Sequence, residues 1–147
     1  MYNAVDHQWM AEALNEAHKA LYLANPNPRV GCVIVKDGQV IGRGFTQQVG
    51  GPHAEIQALS DARLKNFDLT GSTIYVTLEP CTHIGRTPPC VDALLLAKPA
   101  KVIVAMVDPN PLVAGKGLER LKAAGIEVQC GLMESEAQVL NLSLIHI

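Results

Sequence analysis

The amino-acid sequence predicts an α/β protein built on a mixed sheet of about five strands, with helices on both faces. Two β-rich runs flank Asp37-Gly38, which is a hairpin turn signal. After this hairpin, β-rich runs alternate with runs of helical periodicity, as in parallel strands joined by helices. The run 101–107 is almost entirely apolar, which is typical of a strand buried on both faces of a sheet. A chain of 147 residues, 48% of them hydrophobic, suits one domain with a sizeable core.

The first predicted helix begins at Asp6, whose carboxylate can cap it, and ends before the Asn/Pro-rich loop 25–28. Its apolar stripe recurs at helical spacing and consists of Met10, Leu14, Ala17 and Leu21. His7 and His18 lie outside this stripe, so we expect both on the exposed face of the helix.

The remaining elements follow in alternation. Strands are predicted at 30–36, 39–44, 72–78, 101–107 and 126–130. Helices are predicted at 53–62, 91–97, 118–124 and 134–142. In the first of these, Ile56 and Leu59 are expected to face inward. Pro80 is expected in the first turn of a helix, where a missing N–H costs nothing, and Gly125 is expected to end the helix that precedes it.

Charge and hydropathy narrow the class of partner and the location. The formal net charge is −2 and no basic tract is present, which argues against nucleic acid as the substrate. The N-terminus lacks a signal-peptide pattern, and no apolar run reaches the roughly 18 residues that a membrane span needs. We therefore expect no membrane partner and a cytoplasmic location, where cysteines stay reduced. Residues 1–141 are expected to form the domain, and 142–147 are interpreted as a truncation point or a cloning scar without function.

The strongest chemical signal combines His53-Ala54-Glu55 with Cys81 and Cys90, which lies nine residues further on. One imidazole and two thiolates are good zinc ligands, and three ligands leave a fourth position for water, as in catalytic sites. Zinc lowers the pKa of such a water to about 7. Both segments are expected to open helices, whose positive ends favour thiolates. Glu55 can then reach the water without being a ligand, as the proton shuttle of zinc deaminases does.

Structural interpretations of the same residues stay open. A histidine at a helix start is often a cap or a surface residue, and Cys81 or Cys90 alone could be a small buried hydrophobe. It is their joint occurrence, in this order, that favours zinc. Cys32 and Cys130 lie within apolar strand runs, so core packing is predicted for both.

Four motifs extend over most of the chain: Asn27-Pro28-x-Val30-Gly31, His53-Ala54-Glu55, the run from Thr77 to Cys90, and Asp108-Pro109-Asn110-Pro111 through Ala114-Gly115-Lys116-Gly117. Together they resemble the deaminase domain of the riboflavin-biosynthesis deaminase/reductase family, up to about Asn141. The eight residues between the two cysteines are its most specific mark, because cytidine and tRNA adenosine deaminases use a short Cys-x-x-Cys spacing. The resemblance implies a three-layer αβα, cytidine-deaminase-like fold.

The resemblance also implies a substrate and residue roles. The substrate would be 2,5-diamino-6-(5-phosphoribosylamino)pyrimidin-4(3H)-one, hydrolysed to 5-amino-6-(5-phosphoribosylamino)uracil and ammonia. Zn²⁺ would be bound by His53, Cys81 and Cys90, and Glu55 would transfer protons. The implied substrate contacts are Asn27 and the Ala54 backbone for the pyrimidine, His83 and Arg86 for the phosphate, and Asp108 and Asn110 for the ribose.

Departures and alternatives remain. Thr46 stands where the family often has His, so no phosphate contact is expected there. The family usually continues into a reductase domain that uses a nicotinamide cofactor; this chain carries no such segment, and we expect no reductase activity in it.

The loop around Arg86 could be a solvated turn, and Asp108 and Asn110 could merely form a turn. The rival functions are another base, nucleoside or tRNA deaminase, and a non-catalytic zinc domain with His83 as fourth ligand. A homo-oligomer is left open.

Overall fold

The computed structural model describes residues 2–19, 29–47, 52–82, 89–109 and 114–145, and for 141–145 the backbone alone. Its strands are β1 (Gly31–Lys36), β2 (Gln39–Phe45), β3 (Thr73–Val76), β4 (Lys101–Val104) and β5 (Glu127–Cys130). They form one sheet in the order β2-β1-β3-β4-β5. β1 is antiparallel to β2 and β3, whereas β3, β4 and β5 are parallel. The predicted mixed five-stranded sheet is confirmed.

The hairpin turn lies where the sequence predicts it. Asp37 and Gly38 both have positive φ, at 52° and 77°, which matches the twist of the flanking strands as in a type I′ turn. β4 is shorter than the predicted run 101–107, although Ala105 and Met106 remain buried. The amide of Ala105 still donates to Val76 O at 3.0 Å, so β3 and β4 stay joined just past the end of the ladder.

In the described ranges, five helices cover the two faces of the sheet: α1 (Ala4–His18), α2 (Ala54–Leu64), α3 (Cys90–Ala97), α4 (Lys116–Ala123) and α5 (Glu134–Ile145). Residues of α2, α3 and α4 share one hydrophobic core with the sheet, and residues of α1 and α5 share the other. This arrangement confirms a three-layer αβα fold. Among the described residues, no helix has both the length and the apolar character needed to cross a membrane.

The first helix begins earlier than predicted. Its N-cap is Asn3, not Asp6: the Asn3 side chain accepts from the Asp6 amide at 2.8 Å, and the Asp6 carboxylate accepts from the Asn3 amide at 3.2 Å. Asp6 is thus the third helical residue of a capping box, and it also accepts a bond from Tyr75 Oη at 2.7 Å. The stripe residues Met10, Leu14 and Ala17 are buried, as predicted, whereas Leu21 lies outside the described residues. His7 and His18 are exposed, as predicted.

The second helix packs through small residues rather than through both predicted apolar ones. Leu59 is buried, but Ile56 is only partly so. The inward face consists mainly of Ala54, Ala58 and Ala62. These alanines let the helix backbone approach β2 so closely that a Cβ on Gly42 would lie 2.3 Å from Ala58 O. A larger side chain at the centre of this face would push the helix off the sheet.

The last two helices agree with prediction apart from their ends. α4 begins at Lys116, two residues before the predicted start, and Gly125 follows it with a φ of +88°. α5 continues past the predicted end at 142 to Ile145, so part of the predicted tail is helical.

The contact between α1 and β1 leaves no room for a side chain at Gly31. A Cβ there would lie 1.8 Å from Ala13 O and 2.6 Å from the Ala17 amide nitrogen. We expect Gly31→Ala to lower the free energy of unfolding by about 1–3 kcal/mol or more, because the helix must move. Urea unfolding followed by circular dichroism measures this.

The matched control for this substitution is Gly38→Asn. Gly38 faces open space, and asparagine tolerates its positive φ, so the cost should stay below about 1 kcal/mol. Equal unfolding midpoints for Gly31→Ala and the unmodified chain would contradict the close packing of α1 on β1.

Candidate metal centre

Three potential ligand atoms converge where α2 and α3 begin. His53 Nδ1 lies 3.0 Å from Cys90 Sγ and 3.8 Å from Cys81 Sγ, and all three ligand atoms are within 4.8 Å of one another. Ligands of one tetrahedral zinc ion, with bonds of about 2.0–2.3 Å, lie about 3.5–3.8 Å apart. The separation of 3.8 Å falls in this range, and the one of 3.0 Å is a direct hydrogen-bond distance that a bound ion would lengthen. The donor set of one imidazole and two thiols suits a zinc ion, and both cysteines are free thiols.

Only two of the three residues stand at helix starts. His53 is the N-cap of α2, and Cys90 is the first residue of α3. The prediction that Pro80-Cys81 opens a helix is wrong, because residues 80–82 are irregular. Instead, Cys81 lies in front of α3, where its Sγ accepts from the Cys90 amide at 3.3 Å and its carbonyl accepts from the Val91 amide at 3.2 Å. The positive end of one helix thus serves both cysteines.

The three groups are electrostatically linked. A hydrogen bond from the Cys90 thiol lowers the pKa of Cys81 to about 4, with further help from His53 and the Cys90 amide. The pKa of Cys90 is raised for the converse reason, because Cys81 holds its proton, and burial adds to this. The bond to Cys81 raises the pKa of His53 and outweighs the opposing effect of burial. Binding of a metal ion by both sulfurs must therefore displace the thiol proton of Cys90.

Glu55 is the second residue of α2 and is buried, with 4% of its surface exposed. Burial raises its pKa to about 7, and the negative charge of Cys81 adds to this, whereas its backbone amide and His53 oppose it. Glu55 is not part of the ligand cluster, but it lies near enough to interact with all three of its members. A carboxyl group with a pKa near neutrality can both accept and return a proton.

The other two cysteines differ from each other. Cys32 on β1 is fully buried, as predicted, and the pKa of its thiol is raised well above normal by burial and by the nearby charge of Glu55. Cys32 is therefore a core residue that lies near Glu55. The prediction of core packing for Cys130 is wrong: the residue is exposed at the end of β5. As an edge strand, β5 pairs with β4 alone and is only partly covered.

The implied substrate contacts are only partly within the described residues. Ala54 is fully buried in the first turn of α2, beside His53, and Asp108 is half-buried after β4. Thr46 is buried, and its hydroxyl accepts from the Val30 amide at 2.8 Å and donates to Val30 O at 3.3 Å. Thr46 therefore joins two parts of the chain. The residues that lie outside the described ranges are Asn27, His83, Arg86 and Asn110.

Glu79 is a residue near the site that the sequence analysis missed. It lies two residues before Cys81 and is buried, with 5% exposed. Within the described part of the chain its carboxylate accepts four bonds, all from backbone amides, and the donors are Asp108, Gly115, Gly117 and Leu118. The signal available in the sequence is a charged residue between the buried strand end and Pro80-Cys81, where an apolar residue would be expected.

Comparison with known proteins identifies relatives of both the sequence and the fold. Residues 3–106 match the model of the cytidine and deoxycytidylate deaminase zinc-binding region. The chain is 55% identical over 136 residues to riboflavin biosynthesis protein RibD of Escherichia coli K12, covering 92% of this chain and 36% of that protein. The chain thus spans about a third of the length of this curated relative.

Two solved structures are similar to this chain in both fold and sequence. A RibD structure from Acinetobacter baumannii has a TM-score of 0.90 and 54% identity, covering 97% of this chain and 39% of that one. A diaminohydroxyphosphoribosylaminopyrimidine deaminase/5-amino-6-(5-phosphoribosylamino)uracil reductase from Thermotoga maritima has a TM-score of 0.91 and 45% identity. The matched region covers 96% of this chain and 40% of that one. The fold of the chain is therefore that of one part of these longer proteins.

The contrasting positions of the four cysteines predict an order of alkylation. In zinc-loaded protein under native conditions, iodoacetamide should modify Cys130 first and leave Cys32 unmodified, because only Cys130 is exposed. Removing zinc with a chelator should make Cys81 reactive, since its lowered pKa keeps it a thiolate. Peptide mass spectrometry reads out each site.

Cys130→Ser is the control, and it should abolish the first modification alone. Rapid modification of Cys32 in folded protein, or equal labelling of Cys81 with and without zinc, would contradict this arrangement.

Proposed function

Because the chain belongs to the cytidine and deoxycytidylate deaminase zinc-binding family, we propose that it hydrolytically removes an amino group from a phosphoribosylated pyrimidine. The proposed substrate is 2,5-diamino-6-(5-phosphoribosylamino)pyrimidin-4(3H)-one, and the products are 5-amino-6-(5-phosphoribosylamino)uracil and ammonia. The observation that carries the proposal is the convergence of His53, Cys81 and Cys90, with the buried carboxyl group of Glu55 beside them. The name of the Thermotoga maritima structure supports this choice of substrate.

Zinc is the metal that this family binds, and the three converging side chains would hold it here. When bound, zinc supplies the Lewis acidity that makes water a nucleophile near neutral pH. At the start of α3, the Cys90 amide donates to Cys81 Sγ and stabilises the thiolate form of Cys81. The exposed His53 at the tip of α2 leaves one side of the site open to a substrate.

Glu55 would carry the protons of the reaction. Its carboxylate would accept a proton from the attacking water and deliver it to the ring nitrogen. It would then accept the proton of the newly added hydroxyl group and deliver it to the departing amine, as the carbonyl forms. One C–O bond forms, one C–N bond breaks, and ammonia leaves. Burial supports this role, because it raises the pKa of Glu55 towards the pH at which both transfers must occur.

The substrate contacts remain part of the proposal. Ala54 would present its backbone to the pyrimidine together with Asn27, and its place beside His53 supports this. Asp108 would bind the ribose together with Asn110. The phosphate would be held by His83 and Arg86, since a guanidinium suits a phosphate.

The extent of the catalytic unit is also proposed. We assign residues 1–141 to the deaminase domain and keep the cytoplasm as its location. The chain covers 36% and 39% of two of its relatives, and the reductase activity named for the Thermotoga maritima protein lies outside this proposal.

A different deaminase on the same fold is the second candidate, since the family model is named for cytidine and deoxycytidylate deaminases. The eight-residue gap between Cys81 and Cys90 favours the phosphoribosylated pyrimidine over substrates of enzymes with a Cys-x-x-Cys pair. A closed structural zinc site needs a fourth protein ligand. Within the described ranges the cluster has three members, and His83, the candidate for a fourth, lies outside those ranges.

Replacing Glu55 tests the proton shuttle. Glu55→Gln keeps the shape but removes the proton acceptor, so kcat on the ribotide should fall by about 10²–10⁴-fold. Zinc should remain at about one ion per chain, because Glu55 is not in the ligand cluster. Ammonia release and metal analysis measure the two properties.

Glu119→Gln is the matched control on an exposed carboxylate of α4, and it should leave both properties unchanged. Near-native turnover by Glu55→Gln would show that another group moves the protons.

The phosphate requirement separates the proposed substrate from a nucleoside or free base. Arg86→Ala should raise KM chiefly, by about 10–150-fold, the effect of losing one charge-assisted hydrogen bond. Zinc content should not change. Steady-state rates on the ribotide and on its dephosphorylated form measure the effect.

Arg63→Ala, on an exposed arginine of α2, is the matched control and should leave KM unaltered. Equal rates of the unmodified enzyme on the two compounds would refute phosphate recognition and favour the second candidate.

A further inference from the structure

We propose that Glu79 is a positioning residue that fixes the segment carrying Asp108 against the segment carrying Cys81. The inference rests on the proposed function, in which Asp108 contacts the ribose and Cys81 binds zinc. Glu79 itself would touch neither substrate nor metal. It would act through the backbone of the two segments that do.

The hydrogen bonds of Glu79 join distant parts of the chain. Oε1 accepts from the Asp108 amide at 3.0 Å and from the Gly115 amide at 2.9 Å. Oε2 accepts from the Gly117 amide at 2.7 Å and from the Leu118 amide at 3.4 Å. One buried carboxylate therefore binds the segment that follows β4 at both its beginning and its end.

The same residue is tied to the sheet by its own backbone. The Glu79 amide donates to Met106 O at 2.9 Å, just beyond the parallel ends of β3 and β4. The first turn of α4 packs directly against it: a Cβ on Gly117 would lie 2.4 Å from Pro80 O and 3.2 Å from the carboxylate. Cys81 follows Pro80 immediately, so the metal-binding and ribose-binding segments share this one point of attachment.

The chemistry of the attachment requires a carboxylate. Four amides point at two oxygens that both accept, and charged acceptors form stronger hydrogen bonds than neutral ones. Glutamine has the same shape but only one accepting oxygen, so its NH₂ group would face two of the four amides. Those two amides would be left without a partner, and their part of the segment would move away.

A double-mutant cycle on the zinc-loaded enzyme distinguishes positioning from general support of the fold. The variants are Glu79→Gln, Asp108→Ala and the pair. Asp108→Ala removes the side chain of the proposed ribose contact but keeps the backbone amide that binds Glu79. Glu79→Gln alone should raise KM for the ribotide by about 10-fold or more, with about one zinc ion still bound per chain. In the Asp108→Ala background the same change should alter KM by less than about 2-fold, because both substitutions remove one interaction.

Two outcomes of the cycle would overturn the proposal. If the two effects on KM multiply in full, Glu79 does not act through Asp108. If Glu79→Gln loses zinc, the carboxylate supports the metal site instead. Glu119→Gln is the control for loss of a carboxylate, and it should change neither KM nor zinc content.

Amide hydrogen exchange on the unmodified protein keeps the proposal testable if Glu79→Gln does not fold. The amides of Asp108, Gly115 and Gly117 should exchange much more slowly than the amide of Gly38 in the exposed turn between β1 and β2. Equal exchange would overturn the attachment. If the unmodified enzyme does not turn over the ribotide, the proposed function fails, whereas the exchange experiment still decides whether Glu79 holds the segment.

Discussion

The site depends first on the close contact between α2 and β2. Glycine at positions 42 and 44 lets the helix backbone lie directly on the strand, and a Cβ on Gly44 would be 2.2 Å from Ala54 O. Ala54 opens the helix, so this contact sets where its tip lies relative to the sheet. His53 and Glu55 flank Ala54, and their positions follow from the same contact. A contact between backbones is harder to displace than one between flexible side chains, which suits a site that must hold a ligand and a base at fixed separation.

The second determinant is the start of α3. Cys90 belongs to the helix, whereas Cys81 reaches it from an irregular segment and accepts a bond from its first amide. This arrangement concentrates negative charge on Cys81 and leaves the proton on Cys90 when the side chains are considered by themselves. A bound dication would remove this difference between the two cysteines, because both sulfurs would then be thiolates. The long gap between the two cysteines is compatible with this geometry, since only the ends of the gap need to meet.

Much of this was predictable from local patterns. The hairpin at Asp37-Gly38, the parallel strands and the ligand set follow from turn chemistry, periodicity and residue type. The errors arose where tertiary contacts decide. Asp6 resembles a cap, but Asn3 takes that place and Asp6 completes the box. Cys130 has apolar neighbours in the sequence, yet its strand lies at the edge of the sheet, and strand order cannot be derived from one strand alone.

Glu79 illustrates the same limit more sharply. Its partners lie 29 to 39 residues further along the chain, and all of them are backbone amides, which carry no sequence signal. The irregular conformation of Pro80-Cys81 has a similar origin. Pro80 suits a first helical turn by its own chemistry, but the residue before it is bound to the start of α4, and a helix does not form there.

The bond between Thr46 and Val30 changes how variation at position 46 should be understood. The hydroxyl satisfies both the donor and the acceptor of one backbone unit at the entrance to β1. An imidazole in its place could not reproduce both bonds from the same short side chain. The amide of residue 46 also donates to Val30 O at 2.9 Å, and a histidine would keep that bond. What the threonine adds is a partner for the Val30 amide, so exchange at this position alters the support of the backbone as well as the side chain.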